Sequence, residues 1–124
     1  MAGRTDRKST FRSTCPIACA LDLVGDRWTL LVLRDLLRGR SRFGELMESP
    51  EGIPTNILAD RLKRLEAAGI IDSRAYQNNP PRKTYALTEK GEGLKAVMGA
   101  LANWGDRHIA GTRVDKTVSR ALRS

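Results

Sequence analysis

The fold is decided by the stretch GIPTNILADRLKRLEAAGI, which occupies residues 52–70. Its apolar residues recur at three- and four-residue spacing, which is the period of an amphipathic helix. We predict a helix that begins at Pro54 or Thr55, ends at Ala68 and is stopped by Gly69 in a left-handed conformation. At about 100° per residue, four apolar side chains share one face, which must pack against a core: Ile57, Leu58, Leu62 and Leu65.

The opposite face of this helix is polar. Asn56 can pair with an adenine edge, Lys63 with guanine or a phosphate, and Asp60 with cytosine. A solvated helix surface would explain these residues equally well if they stood alone. Arg61 points toward the apolar side, so we expect its stem to pack while its guanidinium reaches water. The polar face is flanked by Thr55, Ala59 and Arg64.

Three shorter helical segments precede this helix. The first has Pro16 at its first position, which proline favours, and ends at Gly25, a residue that commonly terminates helices. Asp26 is the predicted cap of the second segment. Ser41 is the predicted cap of the third, which the turn at residues 49–52 terminates. The order so far is therefore three helices, a turn and the long amphipathic helix.

After residue 69 the period changes to that of β-strands. Ile70–Tyr76 and Lys83–Leu87 are predicted strands, and Gln77–Arg82 between them is a predicted hairpin tip because its paired prolines exclude helix. Thr88 then caps a last long helix, whose apolar residues recur as far as Ile109. A mainly α chain with a small β-hairpin in this order is the layout of a winged helix-turn-helix.

Charge and length limit the function. The chain has 124 residues, enough for one domain, and a net charge of +8 that favours a polyanionic partner. Most of this charge falls in residues 1–13 and 112–124, which we predict to be flexible basic tails around a domain of residues 14–111. The tails serve either solubility or electrostatic attraction. We expect a cytoplasmic protein with no membrane span and no secretory signal.

The order of elements favours duplex DNA as the polyanion. One helix fits the major groove, so we predict that the helix at about 55–68 lies there. The hairpin, or wing, at residues 77–83 would then contact the backbone or the minor groove. Basic residues near the third helix and in the wing complete the predicted DNA-binding set: Arg40, Arg42, Arg82 and Lys83.

The sequence from about residue 15 to 105 resembles HxlR-type (MarR-like) winged-helix transcriptional regulators. The resemblance implies a bacterial, nucleoid-associated homodimer that binds a double-stranded DNA operator, as a repressor or an activator, with repression favoured. It also implies that the first and last helices form the dimer and that the fourth helix reads DNA. Pro54 departs from the family, which often has a capping serine there. The matching segments are 15–16, 21–28, 42–46, 52–58, 61–66, 69–71 and 80–88.

The last helix supports a dimer independently. Its apolar seam is larger than so small a core needs, and an exposed Trp104 is costly. Its four glycines each cost about 1 kcal/mol inside a helix, so the helix requires packing, either within its own domain or against a second copy. The predicted interface comprises Ile17, Leu21, Leu94, Val97, Met98, Leu101 and Trp104.

Cys15 lies at a helix start, whose free N–H groups stabilise a thiolate. Some members of the resembled family sense oxidants or electrophiles through a cysteine here, which implies that role for Cys15. Cys19, one turn further on, is predicted to be buried as part of the core. A disulfide within one helical turn would be strained, so a bond between subunits is the easier one to form.

The sequence contains no recognisable arrangement of catalytic residues. His108 is the only histidine, and we expect it to be a helix-end residue rather than a metal ligand. We therefore predict no enzymatic activity, no metal and no cofactor; the expected partners are operator DNA, a second copy, and an oxidant or small-molecule signal. Two alternatives stay open, a thiol-based redox protein that uses Cys15 and a winged-helix module that binds proteins instead of DNA.

Overall fold

The computed structural model describes residues 13–113, so nearly all of the two predicted tails lies outside the described residues. Four helices come first and then a two-stranded antiparallel hairpin, as the sequence predicts, and two further helices follow where the sequence predicts one. The helices are α1 (Pro16–Val24), α2 (Arg27–Leu37), α3 (Phe43–Met47), α4 (Thr55–Ala67), α5 (Glu89–Glu92) and α6 (Lys95–His108). The strands are β1 (Ile71–Asn78) and β2 (Pro81–Leu87).

The starts of the first helices follow from local chemistry. Pro16 occupies the first turn of α1, and the Asp26 carboxylate caps α2 by accepting from the Thr29 amide at 2.6 Å. The prediction that Ser41 caps α3 is wrong. Arg42 stands at that position, and Glu45 reaches back so that its carboxylate accepts from the amides of both Arg42 and Ser41. A carboxylate three residues into a helix can satisfy these donors without a capping hydroxyl.

The prediction for α4 is confirmed. The helix follows Pro54 and is stopped by Gly69 at φ +74°, a conformation that favours glycine. Leu58, Leu62 and Leu65 are fully buried, and Ile57 packs half-buried beside them. The inward face of α4 is thus fixed, and its opposite face is fixed with it.

The hairpin is longer than predicted. Its register runs from Ile71 opposite Leu87 to Asn78 opposite Pro81, so only two residues form the tip in place of the expected six. Pairing continues past the predicted end of β1 because Tyr76 is accommodated as a bulge. Proline at the first position of β2 is tolerated there.

The predicted last helix is wrong as a single element. Thr88 does cap α5, accepting from the Gly91 amide, but a turn at residues 93–94 separates α5 from α6. Leu94 packs against the core at this turn. Gly91 is required because a Cβ there would lie 2.2 Å from the Ile70 carbonyl oxygen. The chain after the hairpin therefore packs against Ile70, directly before β1, and α6 begins after this contact.

The core lies between α2, α3, α4 and the start of the hairpin. α6 contributes no buried side chain to it, although Leu94 packs against it from the preceding turn. Between residues 13 and 113, no helix has the length and apolar content needed to cross a bilayer. The buried apolar residues are Val24, Val32, Leu33, Leu36, Leu46, Ile53, Leu58, Leu62, Leu65, Ile70 and Ile71.

Candidate nucleic-acid interface

The outer face of α4 carries the residues that the sequence places there. Thr55, Asn56, Ala59, Lys63 and Arg64 are all exposed. Asn56 and Lys63 lie opposite the buried leucines of the same helix, and Thr55, Ala59 and Arg64 flank them, so core packing sets which side chains α4 presents to a partner.

Asp60 behaves differently from its neighbours on α4. It is half-buried, and its carboxylate pairs with Arg61 at 2.5 Å and with Arg64 at 3.0 Å. The pair with Arg64 spans one helical turn and orients an exposed guanidinium. The structure thus places Asp60 within ion pairs of its own helix, beside the exposed side chains that flank it.

The expectation that the Arg61 guanidinium reaches water is wrong. The side chain is only 16% exposed, and Nε donates to the Asp26 carboxylate at 2.6 Å. Burial raises the pKa of Asp26, but the hydrogen bonds from Thr29 and Arg61 outweigh this effect and hold that pKa below its usual value. A buried guanidinium needs a carboxylate partner, and the helix cap supplies one.

The turn between α3 and α4 is held by a second ion pair. Arg34 of α2 donates to both oxygens of Glu51 at 2.8 Å and also to Ser49 Oγ at 3.0 Å. The hydrogen bonds that Glu51 accepts, first from Arg34 and then from the Ser49 hydroxyl, lower its pKa to about 2. Arg34 also pairs with the buried Asp35. The turn between α3 and α4 is therefore held to α2 by a bidentate contact, which is geometrically specific.

The basic residues outside α4 fall into two groups. Arg40 is half-buried and donates to the Glu45 carbonyl at 3.1 Å. Arg42 is exposed, and its guanidinium carbon lies 4.4 Å from the centre of the Tyr76 ring. Arg82 and Lys83 are exposed on β2, within the strand rather than in a loop.

A cleft of about 610 Å³ separates α3 from the hairpin. The cations Arg42, Arg82 and Lys83 line it together with the carboxylates Glu45 and Glu48. The structure therefore brings three of the predicted DNA-binding cations into one place, beside but not on α4. Arg40 lines a separate, smaller depression near α2.

The predicted dimer interface is only partly exposed. Ile17 and Leu21 of α1 are 72% and 59% exposed, and Trp104 of α6 is 60% exposed. Val97 and Leu101 are exposed beside Trp104, whereas Met98 is half-buried. Leu94 is half-buried against the domain's own core, so its packing is explained within one chain.

The two cysteines differ in environment. Cys15 is exposed at the start of α1. The prediction that Cys19 is buried is wrong, since it is half-buried and its thiol donates to the Ser13 carbonyl at 3.2 Å. His108 lies at the end of α6 with its ring 5.1 Å from that of Trp104. Within residues 13–113, no group of three potential ligands could hold a metal ion.

Three contacts were not predicted from the sequence: Arg34 with Glu51, Arg61 with Asp26, and Arg42 with Tyr76. Each joins residues at least 17 positions apart, so no helical or strand period reveals it. Of the three, only the Arg61 contact is indicated by the sequence, because a cation on the apolar side of α4 requires a partner.

A short helix, a turn, a helix with an exposed polar face and an adjoining two-stranded hairpin define a winged helix-turn-helix domain. The chain belongs to the HxlR-like helix-turn-helix family, whose family model matches residues 23–113.

Relatives and solved structures agree with this assignment. An HTH-type transcriptional regulator of Mycobacterium bovis is 44% identical over 90 residues, which are 73% of this chain and 56% of that protein. The chain thus spans little more than half the length of this relative. The redox regulator HypR in its oxidised form matches with a TM-score of 0.69 at 31% identity, covering 76% of this chain and 97% of HypR. The reduced transcriptional regulator YodB of B. subtilis matches with a TM-score of 0.65 at 35% identity, covering 81% and 99%.

Proposed function

We propose that this protein is a homodimeric, sequence-specific DNA-binding transcriptional regulator, acting as a repressor. The observation that carries the proposal is the exposed polar face of α4, which lies opposite a buried leucine face on a helix that is joined to β1 where the Ser73 hydroxyl donates to Glu66 at 2.7 Å. In this proposal α4 is the recognition helix in the major groove. The hairpin is the wing, which contacts the backbone or the minor groove.

The dimensions of α4 suit the role. Its 13 residues extend about 20 Å, and the major groove is about 12 Å wide. Asn56 and Lys63 are the proposed base readers because their donors match purine edges. Thr55, Ala59 and Arg64 lie beside them, and Arg64 is oriented by Asp60. Asp60 acts in this scheme by orienting its neighbour, since its charge repels phosphate.

The dimer proposal rests on the apolar faces of α1 and α6. A side chain as large as Trp104, 60% exposed next to Leu101 and Val97, is costly in a monomer. Pairing two copies through these faces would place two recognition helices on one side of the dimer. Two-fold symmetry then requires an inverted-repeat operator with half-sites separated by about 34 Å or a multiple of it.

We further propose that Cys15 senses oxidants. Its thiol is exposed at the residue that directly precedes α1, the helix that carries the apolar residues Ile17 and Leu21. A two-electron oxidant would take one electron pair and two protons from two Cys15 thiols as a disulfide forms between subunits. Solved structures of similar regulators include HypR in oxidised form and YodB after treatment with diamide. In this role the protein acts in the cytoplasm, associated with the nucleoid, and has no enzymatic activity.

Selection from a random duplex library tests the proposal. The purified protein is incubated with the library, bound duplexes are amplified, and enriched sequences are read over several rounds. We expect one inverted-repeat motif to be enriched. A library that stays random contradicts sequence-specific binding, and thiol turnover by the same preparation would favour a redox protein instead.

A further inference from the structure

Tyr76 occupies an irregular position in the wing. Ala75 pairs with Lys83 and Gln77 pairs with Arg82, so Tyr76 is an extra residue of β1 with no partner on β2. A bulge of this kind changes the direction of its side chain relative to a regular strand. Here the ring receives the Arg42 guanidinium, with 4.4 Å between the guanidinium carbon and the ring centre.

We propose that Tyr76 is a positioning residue for duplex DNA, because its ring holds the Arg42 guanidinium ready for a phosphate of the backbone. The inference rests on the proposed function. It adds the residue that orients the Arg42 guanidinium for its contact with a phosphate. Tyr76 itself need not touch the DNA.

The main chain of Arg42 is fixed to the other strand of the wing. The Tyr85 amide donates to the Ser41 carbonyl at 2.8 Å, and Arg42 forms an isolated bridge with Thr84. The backbone of Arg42 is therefore held by β2 and its side chain by the bulge of β1. An arginine side chain loses much rotamer freedom when it binds a ligand, and stacking before binding reduces that loss.

Stacking also leaves the donors of Arg42 usable. A guanidinium that contacts a ring through its face keeps its in-plane N–H groups for a phosphate, to which it can bind in bidentate fashion. The nearby Glu45 carboxylate already accepts from two main-chain amides. Three cations, Arg42, Arg82 and Lys83, line the cleft with two carboxylates, Glu45 and Glu48, so its net charge is positive and attracts a phosphate.

The test is a double-mutant cycle measured by fluorescence anisotropy on the selected duplex. Tyr76→Leu removes the aromatic face and should weaken binding about two- to fivefold, the range for an exposed cation–π contact. Tyr76→Phe keeps the face and is the matched control, expected to bind like the unmodified protein. In an Arg42→Ala background, Tyr76→Leu should cause no further loss, because the group it positions is gone.

The outcomes separate the two proposals. If the unmodified protein binds duplex DNA but Tyr76→Leu binds equally well, the positioning role is wrong and the proposed function stands. The role is also wrong if Tyr76→Leu weakens binding as much in the Arg42→Ala background as in the unmodified protein, since the residue would then act through the wing fold. If the unmodified protein shows no salt-dependent duplex binding, the proposed function fails and the inference fails with it.

Discussion

Arg61 donates through Nε to the Asp26 carboxylate over 2.6 Å, so the residue that caps α2 also holds α4. Asp26 stands in the two-residue connection between α1 and α2. The connection that ends α1, the helix directly after Cys15, is thus linked through one carboxylate to the helix proposed to read DNA. The polar face of α4 is oriented by its buried leucines and by this contact.

This link predicts an order of stabilities. Arg61→Met keeps the apolar stem and removes the charged contact, and it should lower the free energy of unfolding by about 1 kcal/mol. Asp26→Ala removes the contact and the helix cap together, so it should cost about 1 kcal/mol more. Urea unfolding followed by circular dichroism measures both values. Equal losses for the two variants would show that the cap and the contact are not separate contributions.

The Arg34–Glu51 pair predicts acid sensitivity. The pKa of Glu51 is about 2 in the folded protein, below its usual value of 4.5. The folded state therefore gains stability from this group above pH 4.5 and loses it as the pH falls toward 2. Glu51→Gln should flatten the dependence of the urea midpoint on pH in that window. Glu48→Gln, at an exposed carboxyl three residues earlier, is the control; an unaltered pH profile for Glu51→Gln would refute the assignment.

The apolar face of α6 predicts the oligomeric state. Sedimentation equilibrium should give twice the chain mass of 13.7 kDa at micromolar concentration. Leu101→Asp places a charge in the proposed interface and should shift the mass toward the monomer. Asn103→Asp adds the same charge about 200° around the helix and should leave the dimer intact. A monomer mass for the unmodified protein would contradict the dimer.

Cys15 predicts an oxidant response that depends on one thiol. Diamide should release the operator from the unmodified protein and produce a disulfide-linked dimer on a non-reducing gel. Cys15→Ser should abolish both effects, whereas Cys19→Ser should retain them because Cys19 is half-buried and donates to Ser13. Release that persists in Cys15→Ser would end the proposal for Cys15.

The helices, the hairpin and both faces of α4 could be predicted from the sequence because each depends on a local period or on glycine and proline signals. The break before α6 could not, since it depends on Leu94 turning to a core built by distant segments. The environment of Arg61 was also missed, because its partner Asp26 lies 35 residues away. The candidate site was predicted as a set of exposed residues; the contacts that orient Arg64 and Arg42 required the tertiary structure.

In the proposed complex, α4 reads the base sequence while the wing holds the backbone. The most direct test compares the affinity ratio between the selected operator and a scrambled duplex for two variants, across a series of salt concentrations. Asn56→Ala should lower that ratio by about five- to 150-fold, and Arg82→Ala should weaken both duplexes equally and reduce the salt slope by about 1. An unchanged ratio for Asn56→Ala would contradict the account.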